Sequence, residues 1–216
     1  CRSGVDKVAF TGSAPTGRKV MGACAEGLVP VLMECGGKDA LIVDDDADVT
    51  AAVDAALWGG MSNAGQTCVG IERVYATDAV YDRFVAELTE AASELRTGSG
   101  DDAHYGPITM PGQVAIIERH IAEAVADGGR IVVGGTVTDG VVAPTVLVDV
   151  PEQSAAVREE TFGPTITVAR VGSAEEAIER TNATSYGLAG SVFTGNAKRG
   201  MALARQMRSG MASINA

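Results

Sequence analysis

Apolar residues along the chain come in short runs separated by longer amphipathic stretches. Val8–Phe10, Val29–Met33, Leu41–Val43, Ile71–Ala76, Ile131–Val133, Val141–Val142, Val146–Val148, Thr165–Val168, Val192–Thr194 and Met211–Asn215 are compact and rich in β-branched residues. Each is predicted to be a strand, the first of them buried. Between them, apolar positions recur every three or four residues. Val49, Val53, Leu57 and Met61 form one such stripe, Val80, Phe84, Leu88, Ala91 and Leu95 a second, and Ile117, Ile121 and Val125 a third. Three further helices are predicted. One starts near Pro15–Thr16, where proline suits a first turn. One runs through Ile178 behind the capping box Ser173–Glu176, and one covers Lys198–Met207. Asp44, Asp45 and Asp46 are read as the cap of the helix that follows them.

Strands separated by helices of this length predict an α/β fold, a twisted and mostly parallel sheet with flanking helices. The Gly128–Gly140 stretch reads as turns around a strand. Gly36–Gly37 is the most flexible point between two apolar segments, which divides the chain into residues 1–36 and 37–216.

Composition narrows the function classes. Forty-six per cent apolar residues in 216 is enough for a sizeable core. The net charge of −11, with no basic cluster, argues against nucleic acid or an anionic membrane as partner. Cys1, Cys24, Cys35 and Cys68 form no Cys-x-x-Cys pair, and only His104 and His120 offer imidazole, so no metal site is expected. Four scattered thiols in so long a chain suit a reducing, cytoplasmic compartment rather than a disulfide framework. Neither a signal peptide nor an apolar run near 18 residues is present, so no membrane span is expected. Both ends, Cys1 and Ala216, read as cuts through a longer protein.

Four segments carry candidate chemistry: Phe10-Thr-Gly-Ser13, Glu34-Cys-Gly-Gly-Lys38, Asn63-Ala-Gly-Gln-Thr-Cys68 and Glu159-Glu-Thr-Phe-Gly-Pro164. With Tyr186-Gly-Leu188 and Val192-Phe-Thr194, and 34 positions from Glu34 to Cys68, they resemble the aldehyde dehydrogenase superfamily through essentially the whole chain. The resemblance implies oxidation of an aldehyde to a carboxylic acid, with hydride passing to NAD or NADP. It makes Cys68 the nucleophile, whose thiolate gives a thiohemiacetal and then a thioester. The Gly-containing approach to Cys68 would let its own N–H help hold the oxyanion. Read without that context, Cys68 is a small buried hydrophobe.

Glu34, at the end of an apolar strand, is implied to be the general base that activates water; the rival reading is an ion pair with Lys38 across the turn. Gly12 and Ser13 occupy a strand-to-helix turn suited to phosphate, and the resemblance assigns them to the cofactor pyrophosphate; a plain N-cap is the alternative. Glu160 is implied to hold the nicotinamide ribose and Phe162 to lie beside the nicotinamide; otherwise they are a solvated loop carboxylate and a core aromatic. Asn63 either buttresses the Cys68 loop or merely forms a turn. Cys35 replaces a usual aliphatic residue and reads as core rather than as a second nucleophile.

Set against the family, residues 1–36 resemble a remnant of the dinucleotide-binding domain and residues 37–216 the thiol-bearing catalytic domain. The adenine-ribose lysine, the oxyanion-hole asparagine and the subunit-joining tail would then lie outside this chain. The whole protein is expected to be a homo-oligomer, and this piece alone to be inactive. Glu34 argues against an acylating enzyme that passes its thioester to coenzyme A. The Thr-Cys-Val-Gly-Ile-Glu-Arg run leans toward semialdehyde substrates, and a non-catalytic packing or assembly domain is a third reading.

Overall fold

The computed structural model describes residues 4–216, so Cys1 lies outside the described residues. The chain divides between Gly37 and Lys38 into two compact units.

The smaller unit holds β1 (Val8–Gly12), α1 (Ala14–Glu26) and β2 (Val31–Cys35), with the two strands parallel. Ser13 is the extended N-cap of α1 and Pro15 sits in its first turn, the position proline tolerates best. Gly17 lets the helix close on the strands, since a Cβ there would stand 3.1 Å from Cys35 Sγ. Pairing in β2 begins after Pro30, which has no N–H to give but whose carbonyl accepts from Val8 N at 3.0 Å. The expected burial of β1 is not observed. Half-buried and exposed residues alternate along both strands, with Ala9, Thr11, Leu32 and Glu34 exposed.

The larger unit is a three-layer α/β structure, as the alternating pattern predicts. Its elements run β3 (Asp39–Val43), α2 (Val49–Met61), β4 (Ile71–Thr77), α3 (Tyr81–Ser93), α4 (Pro111–Ala126), β5 (Arg130–Val133), β6 (Val137–Thr138), β7 (Val141–Val142), β8 (Thr145–Val148), α5 (Ala155–Arg158), β9 (Thr165–Val171), α6 (Ala174–Asn182), β10 (Gly190–Phe193), α7 (Ala197–Ala204) and β11 (Ser213–Ile214). One seven-stranded sheet has the order β11-β10-β3-β4-β9-β8-β5, parallel except for β5. Strands β6 and β7 form a separate hairpin. All five residues of β3 are buried, the mark of a strand covered on both faces. Leu41, Val74 and Ile166 pack toward Val53, Phe84, Leu88 and Ile117 of α2, α3 and α4. Ala40, Ile42, Tyr75 and Val192 face Ile178 of α6 and Leu203 of α7. Among the described residues no helix is long and apolar enough to cross a membrane.

Local chemistry corrects several boundaries. The cap of α2 is Asp48, which accepts from Ala51 N at 3.1 Å, rather than the preceding aspartates. Asp44 pairs with Arg199 instead, and Asp46 accepts from the Thr194 hydroxyl at 2.6 Å and Gly195 N at 2.9 Å. The side chain of Ser173 caps α6 as predicted, while Glu176 reaches one residue beyond the capping box, to Gly172 N at 2.8 Å. Helix α7 ends at Ala204 because Gln206 and Met207 donate three residues back, to Leu203 and Ala204, and tighten the last turn.

Strand β3 opens on a buried carboxylate. Asp39 Oδ1 accepts from Ala189 N at 3.0 Å, whereas Oδ2 is buried without a hydrogen-bond partner. Burial pushes the carboxyl up to about 7 against the pull of the Ala189 N–H. Between about pH 4 and 7 the folded chain therefore binds a proton that the unfolded chain releases, so this group costs stability as pH rises through that window. Asp39→Asn is expected to match wild type near pH 4 and to exceed its Tm by about 5 °C above pH 7. Thermal unfolding of both proteins across that range checks this, and parallel Tm profiles would refute it.

Candidate active site

In the smaller unit, Glu34 lies opposite Thr11 and Cys35 opposite Gly12, which puts Gly12, Ser13 and Glu34 together at the carboxyl ends of the two strands. Ligands of open α/β sheets bind at such ends. Gly12, Ser13 and Glu34 are all exposed. Ser13 makes no side-chain cap bond; its hydroxyl donates to Thr16 Oγ1 at 3.1 Å, and the first turn of α1 carries no acidic residue. Its N–H groups and the positive end of the helix dipole are thus open to an anion. A Cβ at residue 12 would stand 2.8 Å from the tip of the Phe10 ring, so a side chain there would displace that ring.

In the larger unit, α2 delivers the chain into a tight loop. Asn63 and Ala64 adopt left-handed backbone, at φ 53° and 57°, and Gly65 follows at 68°. Asn63 Nδ2 donates to Gln66 O, and Gln66 Nε2 donates back to Asn63 O, both at 3.0 Å. Gln66 Oε1 accepts from Thr109 N at 2.9 Å. Asn63 is therefore a loop brace rather than a simple turn residue. The chain then turns through Cys68 and Val69, closed by Gly70 N donating to Thr67 O at 3.0 Å. Cys68 is exposed on this turn, Cys24 is buried and Cys35 is intermediate. Among the described residues no backbone carbonyl accepts the Cys68 N–H.

The segment Glu159–Pro164 meets that loop directly. A Cβ at Gly65 would fall 2.1 Å from Gly163 O, so only glycine permits the contact. Glu160 and Phe162 are both half-buried, and Phe162 is held in the left-handed region at φ 51°. Bulky residues rarely adopt that conformation, and something must hold it.

Glu72 does so. Its carboxylate accepts from Thr161 N at 2.8 Å and from Phe162 N at 2.8 Å, and it forms a short buried ion pair with Lys38. Lys38 Nζ also donates to Thr161 Oγ1 at 3.1 Å, and His120 Nδ1 lies 3.0 Å from the same hydroxyl. Gln113 Nε2 donates to Thr161 O at 2.6 Å, and the Tyr186 hydroxyl accepts from Glu160 N at 3.2 Å. Burial lowers the Lys38 pKa, opposed by the Glu72 charge. Burial also lowers His120, aided by the cations of Lys38 and Arg119, which favours a neutral imidazole.

The ammonium of Lys38, the rival partner considered for Glu34, is thus committed to Glu72 and Thr161. Neither Glu72 nor His120 is a site residue on sequence grounds. The available signal was a carboxylate and a guanidinium side by side, Glu72-Arg73, inside a buried strand.

A profile of the aldehyde dehydrogenase family matches residues 1–216. Betaine aldehyde dehydrogenase of Cereibacter sphaeroides is 43% identical over 99% of this chain and 45% of its own length. Succinate-semialdehyde dehydrogenase [NADP(+)] of Escherichia coli is 39% identical over 98% of this chain and 45% of its own. The crystal structure of betaine aldehyde dehydrogenase from Staphylococcus aureus in complex with NAD+ superposes with a TM-score of 0.93 at 34% identity, over 98% of this chain and 44% of that one. The chain spans about 45% of the length of the curated relatives it matches. Matched from end to end in sequence and fold, it belongs to the aldehyde dehydrogenase family.

Proposed function

We propose that the protein oxidises an aldehyde to a carboxylic acid with NAD or NADP, and that residues 37–216 supply the thiol. The observation that carries this reading is the exposed Cys68 on a turn keyed, through Gly65 and Gly163, to the loop of Glu160 and Phe162. Family membership supports it, as do two relatives whose names or complexes include NADP+ and NAD+.

Each unit by itself offers groups that suit part of a dinucleotide. The open first turn of α1 beside Gly12 and Ser13 suits a pyrophosphate, and Glu160 with Phe162 suits a ribose and a planar ring. Residues 1–36 are on this reading part of the dinucleotide-binding domain. When bound, the cofactor accepts the hydride.

The remaining chemistry belongs to this chain. Cys68 Sγ, as thiolate, adds to the aldehyde carbon, and the Cys68 N–H stands ready to donate to the oxygen that becomes negative. Loss of hydride leaves a thioester on Sγ. Glu34 takes a proton from water, the hydroxide adds to the thioester carbon, and Cys68 leaves as thiolate. The exposed position of Glu34 at a strand end supports access to water.

On the whole protein, a panel that includes betaine aldehyde and succinate semialdehyde, followed by absorbance with NAD and with NADP, tests the proposal; absence of NADH or NADPH with all of them would remove it. Cys68 is expected to react with iodoacetamide ahead of Cys35 and Cys24, in line with its exposure. Peptide mapping after brief labelling reads this out, and first labelling at Cys24 or Cys35 would count against the nucleophile. Glu34→Gln keeps the shape but cannot take the proton. In the whole protein it is expected to give a normal burst of reduced cofactor and a steady state slower by roughly 10²–10⁴-fold. An unchanged steady state would end the base assignment.

A further inference from the structure

We propose that Glu72 is a positioning residue for the cofactor side of the site, a device that rests on the aldehyde-oxidising reading above and extends it. The backbone singles this residue out. Asp39 pairs with Ile71 and Ala40 with Arg73, so Glu72 is the extra residue of a β-bulge between parallel strands. Bulges re-aim a side chain and cluster beside active sites. Here the bulge places a carboxylate, only 5% exposed, against two successive amides of the 159–164 loop.

The donor set explains why the group is a carboxylate. Thr161 N, Phe162 N and Lys38 Nζ converge on two oxygens. Only an acceptor with several lone pairs and no hydrogens takes all three. Phe162 N is presented by a left-handed phenylalanine, a conformation that needs such an anchor. The same loop carries Gly163, whose carbonyl lies where any Gly65 side chain would point. Glu72 therefore sets two things at once: the direction of Glu160 and Phe162, and their spacing from the turn that bears Cys68.

The rival account is that the buried pair with Lys38 merely stabilises the fold. Two double variants of the intact enzyme separate the accounts, since both remove the buried charges together. Lys38→Met/Glu72→Gln retains one acceptor oxygen for the amides, whereas Lys38→Met/Glu72→Leu retains none. Amide hydrogen exchange at Thr161 and Phe162, with Val74 and Tyr75 as internal references, and separate KM values for dinucleotide and aldehyde are measured in each. The leucine variant is expected to exchange Thr161 and Phe162 about tenfold faster and to raise the dinucleotide KM about tenfold, with the aldehyde KM within about twofold. The glutamine variant is expected to stay close to wild type in both. Indistinguishable doubles, or two KM values that rise together, would overturn the proposal. If wild type forms no reduced cofactor with any aldehyde, the functional reading falls. The exchange contrast then still decides whether Glu72 anchors the loop.

Discussion

Two opposite charges buried side by side between strands and a loop dictate much of the larger unit. Removing Lys38 and Glu72 from water is costly, and such a pair persists only when its remaining hydrogen-bonding capacity is met. The 159–164 loop meets it for both partners. Thr161 and Phe162 give their N–H groups to Glu72, and Thr161 Oγ1 accepts from Lys38. Arg73 holds the Lys38 carbonyl through two of its nitrogens, at 2.6 and 2.9 Å, and extends to the carbonyls of Arg180 and Thr181 at the end of α6. A strand start, a bulge, a helix end and the 159–164 loop are thereby referred to one point. Breaking one partner of such a pair typically costs about 3–5 kcal/mol, so these elements shift together or not at all.

The loops of the site depend on close backbone approach in the same way. Gly65 and Gly163 stand where no side chain fits, and Asn63, Ala64 and Phe162 hold left-handed backbone nearby. Each such residue costs of order 1–3 kcal/mol and survives only where the surroundings over-determine it. The reciprocal Asn63–Gln66 bonds and the Glu72 carboxylate are the determining contacts. In these loops the strained residues and the contacts that restrain them flank the turn that bears Cys68.

How much of this is legible in the sequence follows from the range over which each feature acts. Stripes such as Val49, Val53 and Met61 and runs such as Leu41–Val43 report burial against near neighbours, and they locate the helices and the strands of the sheet. The Asn63–Cys68 segment is readable because glycine and amide spacing is local. Glu72 escapes the same treatment. Alternation along β4 is broken by the bulge, and its partners lie 34 and about 90 positions away. Asp44–Asp46 misled for a related reason: three adjacent carboxylates suggest a cap, but their partners Arg199, Thr194 and Gly195 follow some 150 residues later. The expected burial of β1 failed because an apolar run does not say how many faces are covered.

Asp39 sits opposite the bulge that Glu72 forms, and the two show what burial demands of a carboxylate. Asp39 has a single N–H, from Ala189, and a second oxygen without a partner; burial dominates and its carboxyl is pushed up to about 7. Glu72 has two N–H groups and an ammonium on equally little exposed surface. Asp39 thus has a hydrogen-bonding need only half met, which a proton relieves, whereas Glu72 is matched donor for acceptor. Neighbouring positions on adjacent strands therefore diverge through the number of donors each carboxylate can see. Donor count, more than depth, decides which buried acid can serve as a fixed anchor for the loop that carries Glu160 and Phe162.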